Sequence, residues 1–248
     1  MPHPPFADAA QATADVRQLL QQAGVDFSPF VCVRRLCAQC PDYDFSFGEA
    51  LIDFVESRLP TSDWVSVHWL FNEKFYHKMY VEPHNGKRAE YFEFLLSGAG
   101  QSRRPHPLFN QSWYTSRHPA TDGTPAFFHF LRTGIFDDLS PSPLFDPKFY
   151  RAMYPQVSAD IAKGTYACSL EHFIIEGADQ GLLPSADWDP DYYLAQNPDV
   201  AKSLASGVHR SAFAHWLEYG IEGNRAPNAQ FDGVSPSGIV WINLPSGE

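Results

Sequence analysis

The sequence predicts an all-α protein, an array of short-helix repeats with two to three helices per unit. Three observations carry that expectation. An aromatic residue, then Asn or Asp, two further residues, an aromatic and a tyrosine occur four times, at intervals of 38, 36 and 43 residues. The four starts are Phe71/Asn72/Phe75/Tyr76, Phe109/Asn110/Trp113/Tyr114, Phe145/Asp146/Phe149/Tyr150 and Trp188/Asp189/Tyr192/Tyr193. Each is followed by large apolar residues at positions h, h+3 and h+4 with glycine at h+7: Tyr91/Phe94/Leu95/Gly98, Phe127/Phe130/Leu131/Gly134, Leu170/Phe173/Ile174/Gly177 and Phe213/Trp216/Leu217/Gly220. Positions h, h+3 and h+4 share one helix face. Aromatic residues make up 15% of the chain and concentrate at these positions, so the expected core is built from rings.

In chain order, residues 1–60 form an N-terminal region. A Pro-rich start leads into an amphipathic helix over 8–23, with Val16, Leu19 and Leu20 at helical spacing and Gly24 as its terminator. The segment 48–59 restores helical spacing through Leu51, Phe54 and Val55 and stops at Pro60, as a degenerate capping repeat would. Residues 61–228 form the four-unit array. Asn72, Asn110, Asp146 and Asp189 are expected N-caps, since their side-chain oxygens accept from free first-turn amides, and Pro147 and Pro190 follow at the first helical position. The pair of aromatics four and five residues after each opening ring, Phe149/Tyr150 and Tyr192/Tyr193 in the last two units, is expected to close over that ring as a hydrophobic staple.

In the last two units the opening helix must stop at Pro155 or at Asn197-Pro198. Asn197 reads as a new N-cap with Pro198 at the first helical position, and the second short helix it starts runs to about Ser206 before Gly207. The third helix buries Phe173 or Trp216, and Gly177 and Gly220 read as left-handed terminators. A proline-containing loop leads to the next aromatic cap. Residues 229–248 form an extended tail in which 238–244 reads as a strand. Either it packs along the array, or the natural polypeptide continues past Glu248 into a β-containing domain.

The formal net charge is −11, so the field repels phosphate backbones and argues against nucleic-acid partners. No stretch of about 18 apolar residues and no secretory signal occur, which predicts a cytoplasmic protein whose membrane contact would be peripheral. Cys32, Cys37 and Cys40 are spaced like part of an iron–sulfur or zinc ligand set, but Cys168 is too distant to complete it. They are expected to be reduced structural thiols. The alternative is a metal site completed by a residue such as His68. No cofactor is expected.

The segments at 145 and 188 resemble a bacterial repeat written FDxxYYLxxNPDVA, then a His-aromatic-Leu helix, then GxxEGRxP. The resemblance is carried by Trp188-Asp189, Tyr192-Tyr193-Leu194, Asn197-Pro198-Asp199-Val200-Ala201, His215-Trp216-Leu217, Gly220, Glu222-Gly223, Arg225 and Pro227. It extends more weakly over 71–228. Such repeats accompany glycosyltransferases and other proteins of exopolysaccharide and cell-surface glycan synthesis, and no catalytic residues come with the resemblance.

Three histidines recur at h+2, His129, His172 and His215, with Glu93 in the first unit. A ladder that binds metal or relays protons is one reading. The other has each imidazole bonded to a backbone carbonyl at the junction with the next unit. Asp187 and Asp189 could hold a cation or a sugar, although acids are expected in caps and turns. No nucleophile-elbow, zincin, Walker or dinucleotide-binding motif occurs. The resulting expectation is a non-catalytic helical interaction and assembly module of a surface-polysaccharide pathway, the N-terminal part of a glycosyltransferase-type protein, with a protein partner or self-association. The alternatives are a glycan-binding module using exposed aromatics, or part of a transferase active site completed by a missing C-terminal domain.

Overall fold

The computed structural model describes residues 67–80, 90–118, 123–221 and 223–231. The expected helix at 8–23, the cysteine cluster, the capping repeat at 48–59 and the strand at 238–244 lie outside them. The chain divides into two compact bodies, Met1–Arg132 and Thr133–Glu248. Among the described residues every regular element is helical, apart from one isolated bridge between Ser142 and Phe145.

The first body has two opening helices, Glu73–Tyr80 and Gln111–Arg117. Its closing helices start as Glu90–Glu93 and Ala126–His129 and run on into wider π-helical turns, Phe94–Gly98 and Phe130–Gly134. The second body repeats this plan with a middle helix added. Its opening helices are Pro147–Met153 and Pro190–Gln196, and its middle helices Pro155–Ala162 and Pro198–Ala205. The closing helices there are Ser169–His172 and Ala212–His215, continued by the π turns Phe173–Gly177 and Trp216–Gly220.

The caps do what their chemistry dictates. Asn72, Asn110 and Asp189 each accept a hydrogen bond from the amide three residues on, and Asp146 accepts from both Lys148 N and Phe149 N, at 2.9 and 3.1 Å. Asp146→Ala is therefore expected to cost about 1 kcal/mol in urea-unfolding measurements. Asn197 stands at the head of the last middle helix, but its side chain does not cap. Its amide donates to Tyr193 O and its carbonyl oxygen accepts from Arg225.

The cap also joins one segment to the next. The backbone N–H of Asn72, Asp146 and Asp189 donates to the carbonyl of Pro105, Pro184 and Pro227, so the proline loop that ends a segment hydrogen-bonds back to its start. The residue after each of these prolines then opens a tight turn that delivers the next ring: His106 Nδ1 accepts from Leu108 N, and Asn228 Oδ1 from Gln230 N. Asn228 and Phe231 thus make the same turn that precedes Phe109.

The core is a chain of rings. Phe71, Phe109, Phe145 and Trp188 each pack on the tyrosine five residues later, with centroids 5.1 to 5.7 Å apart. All four also touch the aromatic residue at h+3 of their closing helix. Within each body the h+3 ring of one closing helix meets the h ring of the next edge-on, Phe94 on Phe127 and Phe173 on Phe213. The ring four residues after the start stays partly exposed, so the expected staple is made by the tyrosine alone.

The glycines at h+7 correct the sequence reading. None of Gly98, Gly134, Gly177 and Gly220 is left-handed. The helix carries on through them in the right-handed conformation, closed by π-type bonds such as Ala178 N to Phe173 O at 2.8 Å. The left-handed residue comes four positions later, at Ser102, Asp138, Gly181 and Asn224, with φ of 58°, 50°, 73° and 49°. The next N–H, on Arg103, Leu139, Leu182 or Arg225, then returns to the h+7 carbonyl and ends the helix. Glycine is needed at h+7 for space: a methyl group on Gly98 would lie 2.5 Å from Tyr76 Oη, one on Gly220 2.7 Å from Tyr193 Oη, and one on Gly177 would overlap Tyr150 Oη.

Candidate functional site

The place where each segment concentrates its polar chemistry is this tyrosine hydroxyl. The opening helix points the tyrosine inward from its second turn, and the closing helix brings position h+2 to meet it. Tyr114, Tyr150 and Tyr193 bond the Nδ1 of His129, His172 and His215 at 2.8, 2.8 and 2.9 Å. The expected imidazole-to-carbonyl bonds are thus replaced by imidazole-to-tyrosine bonds. Burial raises the ionisation of Tyr150 above the ordinary phenol range and that of Tyr193 to about 12, so both hydroxyls stay protonated. Each must therefore keep a hydrogen-bond partner inside the fold.

In the first segment Glu93 stands where the others have histidine. Tyr76 donates to its carboxylate at 2.5 Å, and Arg103 bonds both Glu93 and Tyr76, at 3.0 and 3.2 Å. A half-buried carboxylate gains from a neighbouring cation, and position h+12 supplies it. In the last segment the same position holds Arg225, which instead reaches Asp199 and Asn197. Beside this arrangement His77 Nδ1 meets Glu90 Oε1 at 2.6 Å.

The second body adds a further ring to each pair. Tyr166 packs edge-on against His172 at 4.9 Å and bonds Glu176. At the equivalent place in the last segment, His209 packs edge-on against His215 at 4.8 Å, bonds Ser203, and touches the half-exposed Tyr219.

The remaining sequence candidates are dispersed. Asp189 serves as an N-cap, and Asp187 is exposed and offers its backbone carbonyl to Asn228. His68 is buried with Nδ1 accepting from Leu70 N. Cys168 is a buried free thiol, whose ionisation is pushed up to about 12 by burial. Among the described residues no group of three or more His, Cys, Asp or Glu side chains is placed to hold a metal ion. The three ladder histidines are each absorbed in a separate tyrosine pair.

Sequence reasoning passed over the tyrosine hydroxyls, counting those residues as core rings. A signal for them existed. The first aromatic position varies between Phe and Trp, and the second among Phe, Trp and Tyr, whereas the third is Tyr in all four segments. Packing alone would accept Phe there, so the hydroxyl is what the position requires.

The fold and its polar pairs define a class: a ring-filled helical protein whose recurring polar side chains bond one another. No protein-family model matches the chain, and neither a curated protein nor a solved structure matches it.

Proposed function

We propose that this chain is a non-catalytic helical interaction and assembly module of bacterial surface-polysaccharide synthesis, the N-terminal part of a glycosyltransferase-type protein. One observation carries the non-catalytic half. The recurring groups most able to do chemistry, the Tyr–His pairs and the capping acids, are spent on holding helices together. What remains for recognition is the surface on which the segments differ. The polysaccharide half rests on the resemblance of 188–227 to repeats that accompany glycan-assembling enzymes. Among the described residues no helix is long and apolar enough to cross a membrane, and the proposed setting is cytoplasmic, with peripheral membrane attachment through partners.

The test is a titration of the full chain with cello-, manno- and N-acetylglucosamine oligosaccharides, followed by tryptophan fluorescence and calorimetry. It is paired with affinity purification from cells making the polysaccharide. The module reading expects no saturable sugar response and stoichiometric recovery of a glycosyltransferase or another glycan-assembly protein. Saturable micromolar sugar binding would replace it with a glycan-binding module.

A further inference from the structure

In the second body, three elements converge on each of two imidazoles. His172 lies on its closing helix, bonded to Tyr150 of the opening helix and packed edge-on by Tyr166 from the loop between. His215 is bonded to Tyr193, packed edge-on by His209 and flanked by Tyr219 of its own helix. Only 5% and 6% of the two residues is exposed. Each imidazole is the polar tie between helices that otherwise meet through rings.

The tie suits a neutral ring. Each protonated phenol can donate its hydrogen to a bare Nδ1 of the neutral imidazole. A second proton makes both ring nitrogens donors, so the phenol hydrogen loses Nδ1 as an acceptor, and it places a charge among packed rings. The hydroxyl has little room to step aside, because beside it Gly177 and Gly220 leave no space even for a methyl group. The charged neighbours differ between the two places. His172 is faced by Glu176 on its own helix and Asp160 on the middle helix, together with the neutral phenols Tyr150 and Tyr166. His215 is faced by Asp199 of the middle helix and Glu218 of its own, but also by His209 of the loop and Arg225 of the following turn, with the phenols Tyr193 and Tyr219 beside it. Neither imidazole is hydrogen-bonded to a carboxylate among the described residues.

We propose that His172 and His215 form an acid-released clasp: when they take up a proton, the closing helices let go of Tyr150 and Tyr193 and the second body opens locally. Burial holds both imidazoles below the ordinary value of 6.5, and His209 and Arg225 add to the effect at His215. The opened form, with ordinary imidazoles, therefore binds protons more readily than the closed form. The clasp's contribution is complete above the ordinary imidazole range and is lost as pH falls below 6.5 towards the closed-state value.

Hydrogen exchange of the full chain at pH 7.5 and 5.5, corrected for intrinsic amide rates, reads this directly. Protection over 169–177 and 212–220 should fall between the two conditions, by up to about tenfold for each imidazole that opens, the most by which one ordinary imidazole favours the opened form at the lower pH. In H172Q/H215Q the glutamine oxygen still accepts from tyrosine but takes up no proton, so protection should be the same at both pH values. An equal loss in that variant, or no loss in the natural chain, overturns the proposal. Should the variant fail to fold, imidazole titration by NMR in the natural chain decides: both rings must titrate below 6.5, and titration at or above it refutes the clasp.

Discussion

Phe173→Ala should lower the unfolding free energy by about 3–5 kcal/mol, read as a shift of the urea midpoint. Phe173 has no exposed surface and lies at the crossing of three ring contacts. Phe145 and Tyr150 belong to its own segment, at 5.3 and 5.5 Å, and Phe213 to the next, at 5.3 Å. Truncation removes a ring from the middle of that chain and leaves a void that neighbours anchored on rigid short helices cannot fill. Helices of seven or eight residues are unstable alone, so the void propagates into their docking. Trp216→Ala should cost a comparable amount, with an added contribution because its indole N–H bonds Arg225 O at 2.9 Å. An unchanged midpoint for either variant would remove these rings from the core.

Gly177→Ala is the second large effect and the less intuitive one. In an ordinary helix, alanine is favoured over glycine by about 1 kcal/mol. Here the added methyl would strike Tyr150 Oη and lie 3.0 Å from Phe173 Cδ2. Neither ring can retreat, since both are fully buried. Destabilisation of about 1–3 kcal/mol is expected in urea unfolding, an overpacking cost that outweighs the propensity gain. Gly181→Ala probes a different role. Gly181 has φ of 73° and open space around it, so its cost comes from backbone strain alone.

Much of the architecture was legible because it is written in local rules. Asn and Asp before a helix, proline at its first position and apolar residues on one face specify each element without reference to the rest of the chain, and the observed helices follow them. The misreadings all concern relations between elements. Glycine at h+7 looks like a terminator when only its own helix is considered, and its real cause, the approach of Tyr150 or Tyr193, lies some 27 residues upstream. The true terminators, Ser102, Asp138, Gly181 and Asn224, are residue types that tolerate left-handed backbone, but no period singles them out until the glycines are explained otherwise. The histidines at h+2 were visible as a series, yet their partners were hidden among rings. Spacing along one helix cannot show which neighbouring helix faces it. The substitution of Glu93 with Arg103 for a histidine shows the same limit, since the two residues compensate across ten positions.

The central claim is that the recurring tyrosine, histidine and glycine form one packing lock. A double-mutant cycle between Gly177 and Tyr150 tests it most directly. Tyr150→Phe alone should cost about 1 kcal/mol by removing the bond to His172. On that background Gly177→Ala should lose most of its penalty, because the oxygen it struck is gone. If Gly177→Ala costs the same with phenylalanine at position 150 as with tyrosine, the hydroxyl and the glycine are not packed against each other, and the lock does not exist.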